Sequence, residues 1–273
     1  MSATTANETP NPAQRGVWSE FADVLRSEFC KLRSVRSSFW TLVATVVFNV
    51  VFAALVAIFI PPHLSTADLA TTDPIRLSLA GLHLSQIAIG VLGALVITSE
   101  YSTGMIRATF TAVPRRRMVL AAKVIVLATA ALLVGTISSY AAYFTFQGFL
   151  SGDKLTSSLG DPGVLRAVTG GGLYLAALGL LGLGLGIIIR SSAGTIATLF
   201  GLLFVPTILV SVLPHSVQAT IAPYLPMNAG EQIFIATHHE ANTLGPWTGF
   251  GVFSLYAAIA IVIGFATITR RDA

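Results

Sequence analysis

The chain has 273 residues and a formal net charge of +4; 54% of its residues are hydrophobic, 10% are charged, and its mean hydropathy is +0.78. Soluble globular proteins carry about a quarter charged residues, so this composition excludes a water-soluble domain as the main body of the protein. The basic residues border hydrophobic blocks, which is typical of a membrane topology signal and argues against nucleic-acid binding. We therefore predict an all-α integral membrane protein whose surroundings are the lipid bilayer.

Two segments precede the hydrophobic blocks. Residues 1–16 are rich in Thr, Asn and Pro, have no hydrophobic periodicity, and are predicted to form a disordered cytoplasmic tail. Over residues 17–37, apolar side chains recur at three- and four-residue steps opposite a polar face, which predicts an amphipathic helix. We expect this helix to lie at the cytoplasmic membrane interface with Lys31, Arg33 and Arg36 near anionic headgroups. Packing on a soluble partner is the alternative.

Six hydrophobic blocks follow, each long enough to cross a hydrocarbon core about 30 Å thick. We predict that residues 38–273 form one transmembrane domain. Its predicted spans cover residues 39–60, 77–99, 118–146, 164–189, 195–213 and 247–269. The first ends at Pro61 and Pro62, which lack the amide hydrogen that a continuing helix needs. The apolar, proline-containing segment 215–246 is predicted to contain short helices that re-enter the bilayer from its outer side.

The basic residues divide unequally between the two sides of a six-span protein. If both termini are cytoplasmic, only Arg76, Lys154 and Arg166 lie in outer segments. Thirteen lie in inner segments: Arg15, Arg26, Lys31, Arg33, Arg36, Arg107, Arg115, Arg116, Arg117, Lys123, Arg190, Arg270 and Arg271. The positive-inside rule therefore predicts cytoplasmic N- and C-termini. The Arg-over-Lys bias and the abundance of Ala, Gly and Val indicate a high-GC bacterium, so we expect the bacterial plasma membrane.

Few ionisable residues lie inside the predicted spans, where each costs at least about 2.5 kcal/mol. Lys123 lies about one turn inside the third span, and we expect it to snorkel to the inner surface. His83, near the outer end of the second span, is interpreted as a polar residue at the interface, with a proton relay as the alternative. Because a stand-alone secondary transporter or a membrane-embedded enzyme needs buried acids or histidines that face one another, the sequence disfavours both classes.

Neither a metal site nor a catalytic nucleophile is predicted. His238 and His239 are adjacent and precede Glu240, a spacing that does not turn two ligands to one face of a helix, so we interpret them as outer loop residues. The chain has no G-x-S-x-G elbow, and none of its lysines follows a glycine as in a phosphate-binding loop. We therefore predict that the chain is not an enzyme and that any ATP is bound by another chain.

Two features of the spans concern packing or substrate. Gly182 and Gly186 have G-x-x-x-G spacing in the fourth span, which predicts close packing against a neighbouring helix; a mobile substrate path is the alternative. Asn49 lies near the middle of the first span and is the candidate polar residue of a substrate path. A hydrogen bond from Asn49 to a neighbouring helix is an equal alternative.

The connection between the second and third spans reads Glu100-Tyr101-Ser102-Thr103-Gly104-Met105-Ile106-Arg107 and continues to Pro114-Arg115-Arg116-Arg117. It resembles the corresponding segment of type-2 ATP-binding-cassette (ABC) exporter permeases. These proteins carry an acidic residue, a Gly two to four positions on, an Arg and then Pro-x-Arg; many have Thr where this chain has Met105. Ser27 to Leu42 also looks like their N-terminal interfacial helix, which leads into the first span.

The resemblance implies a permease subunit that moves a hydrophobic or amphipathic substrate, such as a drug, a peptide or a lipid-like molecule, outward. It implies a homodimer or a heterodimer with a related permease, and two copies of a separate ATPase subunit that holds ATP and Mg²⁺, with no cofactor in this chain. The connection would dock on the ATPase and pass on nucleotide-driven motion. The implied coupling residues are Glu100, Tyr101, Gly104, Met105, Arg107, Phe110, Pro114 and Arg115.

Two alternatives to this interpretation stay open. An ordinary basic inner loop would account for the arginines of the connection but not for Glu100, Gly104 and Pro114 at these spacings. A non-transporting sensor or immunity partner with the same fold would have the same hydropathy.

Overall fold

The structure is a computed structural model that describes residues 17–63, 72–150, 155–236 and 243–270. These residues contain α-helices and short 3₁₀ turns and no strand. The helices are α1 (Val17–Ser34), α2 (Arg36–Phe59), α3 (Pro74–Ser78), α4 (Leu82–Ser102), α5 (Met105–Ala112), α6 (Arg116–Phe149), α7 (Val164–Ile189), α8 (Ser192–Ser211), α9 (His215–Ile221), α10 (Pro226–Glu231) and α11 (Pro246–Arg270). The predicted disordered tail, residues 1–16, lies outside the described residues.

Six of these helices, α2, α4, α6, α7, α8 and α11, are long and apolar enough to cross a membrane. The shortest of them, α8, has 20 residues and therefore extends about 30 Å, the thickness of a hydrocarbon core. The predicted all-α, six-helix membrane fold is confirmed at this level, and the chain is a multi-pass membrane protein.

Helix α7 is the centre of the bundle and packs against α4, α6 and α11. Its most apolar 18-residue window is 67% buried, compared with 22% for α2 and for α8. Glycines permit the close contacts: a Cβ on Gly182 would lie 2.8 Å from the carbonyl oxygen of Gly90, and one on Gly186 would lie 2.7 Å from Cγ2 of Ile97. The predicted close packing of these two glycines is therefore confirmed.

The second predicted span differs from the structure at its start. The prediction began at residue 77, whereas the structure has the separate helix α3 and then a turn before α4 begins at Leu82. Asp73 caps α3, since its Oδ1 accepts hydrogen bonds from the backbone N–H groups of Ile75 and Arg76. Gly81 in the turn lies against α2, where a Cβ would be 2.6 Å from Cα of Asn49. This contact between distant segments explains why local hydropathy misplaced the boundary.

The predicted amphipathic helix 17–37 is shorter in the structure, because α1 ends at Ser34 and extended backbone at Val35 separates it from α2. Helix α1 packs on α6 and buries Val24 and Glu28. Two of its aromatic side chains point away from this contact: Trp18 is 84% exposed and Phe29 is 55% exposed. Helix α1 is thus anchored on the bundle by one face and presents apolar side chains on another.

The segment between α8 and α11 contains α9, α10 and the 3₁₀ turns Ala222–Tyr224 and Gln232–Phe234. Helix α10 packs on α11, and the Gln232–Phe234 turn packs on α7 and buries Ile233 and Phe234. The described part of the predicted re-entrant region thus contains short helices held against the bundle. Because the six long helices alternate in direction, this segment lies at one end of the bundle, called here the α10 end, and α5 lies at the other, called the α5 end.

Candidate functional site

The short helix α5 joins the ends of α4 and α6. Gly104 precedes it with φ 70°, a left-handed conformation that costs other L-residues about 1–2 kcal/mol. The helix ends at Ala112 because Val113 is extended and precedes Pro114, whose ring disfavours helical backbone at the residue before it. Glycine and proline thus delimit an eight-residue helix between two much longer ones.

Helix α5 has one buried face and one exposed face. Ile106 and Phe110, which are one turn apart, are 3% and 8% exposed and attach the helix to the bundle. Met105 and Arg107, which flank Ile106 in the sequence, are exposed. The helix therefore presents an apolar and a basic side chain outward from a fixed base.

Cation–π contacts hold the base of this loop. The guanidinium of Arg190, at the C-terminus of α7, lies 5.2 Å from the ring centroid of Tyr101. The guanidinium of Arg116 lies 5.3 Å from the ring centroid of Phe110. These contacts connect the loop to the neighbouring ends of α7 and α6.

The eight predicted coupling residues divide into two groups. Three point into the bundle: Glu100 and Phe110 are buried, and Tyr101 is half-buried. Five form an outward surface: Gly104, Met105, Arg107, Pro114 and Arg115. Within this surface, Nη1 of Arg115 lies 3.0 Å from Oε2 of Glu20 on α1. Such an exposed pair contributes at most about 1 kcal/mol.

A buried network of charges lies directly behind α5. Nζ of Lys123, on α6, is 2.6 Å from Oε2 of Glu28, on α1, and 2.7 Å from Oε1 of Glu100, on α4. The side chain of Lys123 is only 1% exposed. The prediction that Lys123 snorkels to the inner surface is therefore wrong. The physical reason is that the two carboxylates compensate its charge inside the bundle, so that it need not reach water.

Lys31 is the fourth member of this network. Its Nζ lies 2.7 Å from Oε1 of Glu28, 3.1 Å from Oε1 of Glu100 and 3.5 Å from Oγ1 of Thr109 on α5. Partial burial lowers the pKa of Lys31, but the hydrogen bonds and charges of Glu28 and Glu100 together outweigh burial and leave the pKa raised. Glu28, Lys31, Glu100 and Lys123, called here the ion network, thus connect α1, α4 and α6 and also reach α5.

The sequence did not reveal the ion network. Its members lie on three helices, and 95 residues separate Glu28 from Lys123. The expectation that buried ionisable residues do not face one another is therefore wrong. One signal was present: a lysine inside a predicted span requires a compensating acid, and Glu100, at the end of a span, was available at a similar depth.

Asn49 lies in a contact between helices. It is fully buried, and its Nδ2 donates a 2.9 Å hydrogen bond to Oγ of Ser138 on α6. Nearby, Ser85 on α4 donates a 2.9 Å hydrogen bond to the carbonyl oxygen of Thr45. Of the two alternatives for Asn49, the structure displays the hydrogen bond to a neighbouring helix.

A second group of polar contacts lies at the α10 end. Arg166, at the start of α7, donates hydrogen bonds of 2.9 Å to the carbonyl oxygens of Ile233 and Ile235. Oδ2 of Asp73 accepts a 2.9 Å hydrogen bond from the backbone N–H of Ala236. These side chains satisfy irregular backbone, which removes the cost of leaving it unpaired in an apolar region.

Glu231 is a largely buried acidic residue in this second region. Its side chain is 14% exposed, and its Oε1 lies 3.6 Å from Nε2 of His83. Burial raises the pKa of Glu231, and the charges of His83 and Arg76 oppose this effect. His83 therefore has an acidic neighbour that its place in the sequence did not predict.

The described residues contain no group of three or more His, Cys, Asp or Glu that could hold a metal ion. His238, His239 and Glu240 lie outside the described residues, so the interpretation of this motif stays a prediction. The absence of ATP and Mg²⁺ binding by this chain was inferred from sequence motifs and also stays a prediction.

The chain matches no protein-family model. It also matches no curated protein. The resemblance to ABC permeases therefore depends on the residues of this sequence alone, and its consequences for function are proposals.

Proposed function

We propose that this chain is the permease subunit of an ABC exporter, which moves a hydrophobic or amphipathic molecule outward with energy from a separate ATPase. The observation that carries the proposal is helix α5. Helix α5 is attached to the bundle by the buried side chains of Ile106 and Phe110 and exposes Met105 and Arg107. It lies in a segment that resembles the coupling segment of such permeases. Exposed Met and Arg side chains on one short helix suit a protein interface, where both residue types are enriched.

The ion network supports a role for α5 as a lever. Glu100 lies four residues before Gly104, at the base of α5, and pairs with Lys123 on α6. Glu28 and Lys31 extend the same network to α1. Charge-assisted hydrogen bonds in a low-dielectric region are strong and resist rearrangement. A force on α5 would therefore reach three helices together.

Several further features of the proposal follow from the distribution of charge and apolar surface. The α5 end carries most of the arginines and lysines, which supports a cytoplasmic position for it and for both termini in a bacterial plasma membrane. Most residues in the apolar windows of α2 and α8 are not buried in the bundle, which leaves room for lipid and for a second permease subunit, identical or related. We propose two such subunits and two ATPase subunits, and a re-entrant arrangement of α9 and α10.

The first test is co-purification. The full chain, tagged and extracted from its own membrane in a mild detergent, should bring down a soluble subunit that hydrolyses ATP and can be identified by mass spectrometry. If no ATPase accompanies the chain under conditions that keep it folded, the proposal is wrong.

The second test concerns the surface of α5. Arg107→Glu reverses an exposed charge and should weaken association with the ATPase at least about tenfold if Arg107 contacts an acidic group there. Arg26→Glu, on the exposed side of α1, is the matched control and should leave association unchanged. If Arg107→Glu and Arg26→Glu weaken ATPase association equally, association depends only on the net charge of the chain, and the role assigned to α5 is wrong.

The ion network also favours a second candidate function, a stand-alone secondary transporter. Buried ionisable residues that face one another are typical of proton and ion pathways, and Glu28, Glu100 and Lys123 form such a group. In proteoliposomes that contain the chain alone, an imposed proton gradient should then drive flux without nucleotide, and Glu100→Gln should abolish it. Absence of flux from folded protein would exclude this second candidate.

A further inference from the structure

The ion network joins each of its lysines to both of its glutamates. Nζ of Lys123 lies 2.6 Å from Oε2 of Glu28 and 2.7 Å from Oε1 of Glu100. Nζ of Lys31 lies 2.7 Å from Oε1 of Glu28 and 3.1 Å from Oε1 of Glu100. Two of these four pairs connect α1 to the bundle: Glu28 with Lys123, and Lys31 with Glu100. The other two pairs lie within α1 and within the bundle.

This pattern lets the network divide without leaving a charge unpaired. If α1 separates from α4 and α6, only the two connecting pairs break. Lys31 keeps Glu28 on α1, and Lys123 keeps Glu100 in the bundle, each at 2.7 Å. Breaking a buried ion pair is costly mainly when it leaves an uncompensated charge, and neither side would carry one. The network is therefore compatible with a docked and a separated α1.

The apolar attachment of α1 to the bundle is small. Of its 18 residues, only Val24 and Glu28 are buried. Phe21, Leu25 and Leu32 pack against the core but are only partly buried. Segments with few buried apolar contacts open at a lower free energy than the core of a protein. The two connecting ion pairs therefore supply much of the attraction that holds α1 in place.

A hinge and a free space adjoin α1. Val35, between α1 and α2, has φ −77° and ψ 109°, so extended backbone interrupts the helix at this position. Val35 is 48% exposed and is not held in the core. Helix α1 also forms one wall of a cavity of about 460 Å³, whose other walls include residues of α2, α4 and α6. The space between α1 and these helices is thus not filled by side chains.

We propose that α1 is a hinged arm that moves as one helix about Val35, from its docked position to a second position in which the ion network has divided into its two neutral pairs. The movement opens the cavity on its α1 side. It also withdraws Lys31 from Oγ1 of Thr109 on α5, and Glu20 from Arg115. The proposal is independent of the proposed export function, since the movement is measured on the chain alone, without ATPase or nucleotide.

The distance between two spin labels, measured by double electron–electron resonance on the full chain in nanodiscs, follows this movement. Cys30→Ser removes the one cysteine of the sequence, and Ala22→Cys on α1 and Leu133→Cys on α6 supply exposed labelling sites; their separation is called here the arm distance. Ala22 lies about 20 Å along α1 from Val35, so a rotation of about 20° displaces it by about 7 Å. Ser102→Cys with Leu133→Cys is the control pair, because both sites lie on long helices of the bundle.

A charge exchange within α1 tests the role of the connecting pairs. Glu28→Lys combined with Lys31→Glu keeps both sides neutral but places a lysine against Lys123 and a glutamate against Glu100. The arm distance should then shift by at least about 5 Å while the control distance stays unchanged. Adding Glu100→Lys and Lys123→Glu restores opposite charges and should return the arm distance to its wild-type value. An unchanged arm distance in the folded twofold variant, or a shifted one in the folded fourfold variant, would overturn the proposal.

A second variant, Glu28→Gln combined with Lys31→Gln, serves if the charge exchange prevents folding. It removes the connecting pairs, leaves the pair in the bundle and introduces no repulsion, so the arm distance should again shift. Opening of the cavity is measured by the reaction of Val126→Cys, in the cavity wall, with a water-soluble maleimide, which should become several-fold faster in this variant. Arg117→Cys, at an exposed position of α6, should react at an unchanged rate. Wild-type values in both measurements, or an equal change at the two cysteines, would overturn the proposal.

Discussion

Replacing Lys123 by methionine removes the central cation of the ion network and keeps a side chain of similar length. The lysine makes two short charge-assisted hydrogen bonds, 2.6 Å to Glu28 and 2.7 Å to Glu100, from a position that is 1% exposed. Each bond of this kind contributes about 1.5–3 kcal/mol, and removal of one partner of a buried ion pair typically costs about 3–5 kcal/mol. We therefore expect Lys123→Met to lower the free energy of unfolding by about 3–5 kcal/mol.

Unfolding of the purified chain by SDS titration in mixed micelles, followed by circular dichroism, measures this loss. Arg26→Met is the control, because it removes a basic residue from the exposed side of α1, and its effect should stay within about 0.5 kcal/mol. A loss below about 1 kcal/mol for Lys123→Met would refute the reasoning, since it would mean that the lysine is not held in a low-dielectric network.

A double variant distinguishes lost contacts from stranded charge. Lys123→Met leaves two glutamates with one lysine, whereas Lys123→Met combined with Glu100→Gln leaves one of each. If the unpaired buried charge causes most of the loss, the double variant should recover about half of the stability that the single variant loses. A double variant that is less stable than Lys123→Met would show that the individual hydrogen bonds, and not charge balance, dominate.

Three further predictions concern single positions. Gly104→Ala should destabilise the chain by about 1–2 kcal/mol and Gly104→Asn by less, because φ is 70° while no atom lies within 4 Å of an added Cβ; equal losses in SDS titration would contradict a backbone cause. Glu231→Gln should become more stable relative to the wild type as pH rises from 4.5 through the raised pKa of Glu231, because the wild type then carries a buried negative charge. A difference in melting temperature between the two proteins that is constant from pH 4 to pH 8 would contradict this prediction. Tyr174→Phe should lower the free energy of unfolding by about 1–3 kcal/mol in SDS titration, because it leaves Oε1 of buried Gln86 unpaired. Tyr256→Phe loses an exposed hydrogen bond and should lower it by less than about 0.5 kcal/mol. Equal losses would show that burial of the hydrogen bond makes no difference.

The six long helices could be predicted because hydrophobic length is a local property. An apolar block of about twenty residues specifies a span wherever it occurs in the fold. Proline gave a useful local signal as well: the first span was predicted to end at Pro61, and α2 ends at Phe59. The identity and type of these elements followed from the chain without any knowledge of its contacts.

The break between α3 and α4 could not be predicted in the same way. It depends on the fit of Gly81, in the turn before α4, against Asn49 on α2, which is distant in the sequence. Within the sequence, residues 77–99 form one continuous apolar block that favours an unbroken helix. The tertiary contact overrides this local preference, as it often does at element boundaries.

The candidate site shows the same division between local and distant information. Eight coupling residues were named from a short motif, and two of them, Met105 and Arg107, are exposed on α5. The two buried partners of Lys123, Glu28 and Glu100, were missed because register between helices decides these pairs, and hydropathy gives no register. The sequence predicted that Glu28 belongs to a helix at the membrane surface, whereas in the structure the packing of α1 on α6 buries Glu28.

Glu100 connects the features that sequence and structure supplied separately. It lies at the base of α5, it pairs with Lys31 and Lys123, and its Oε2 has no hydrogen-bond partner among the described residues. A single carboxylate cannot change its position for one of these neighbours without changing it for the others. If docking of an ATPase on α5 shifts Glu100, its pairs with Lys31 and Lys123 must change as well, so docking is coupled to the positions of α1 and α6. The proposed coupling surface is therefore connected to α1, α4 and α6 through one charged network.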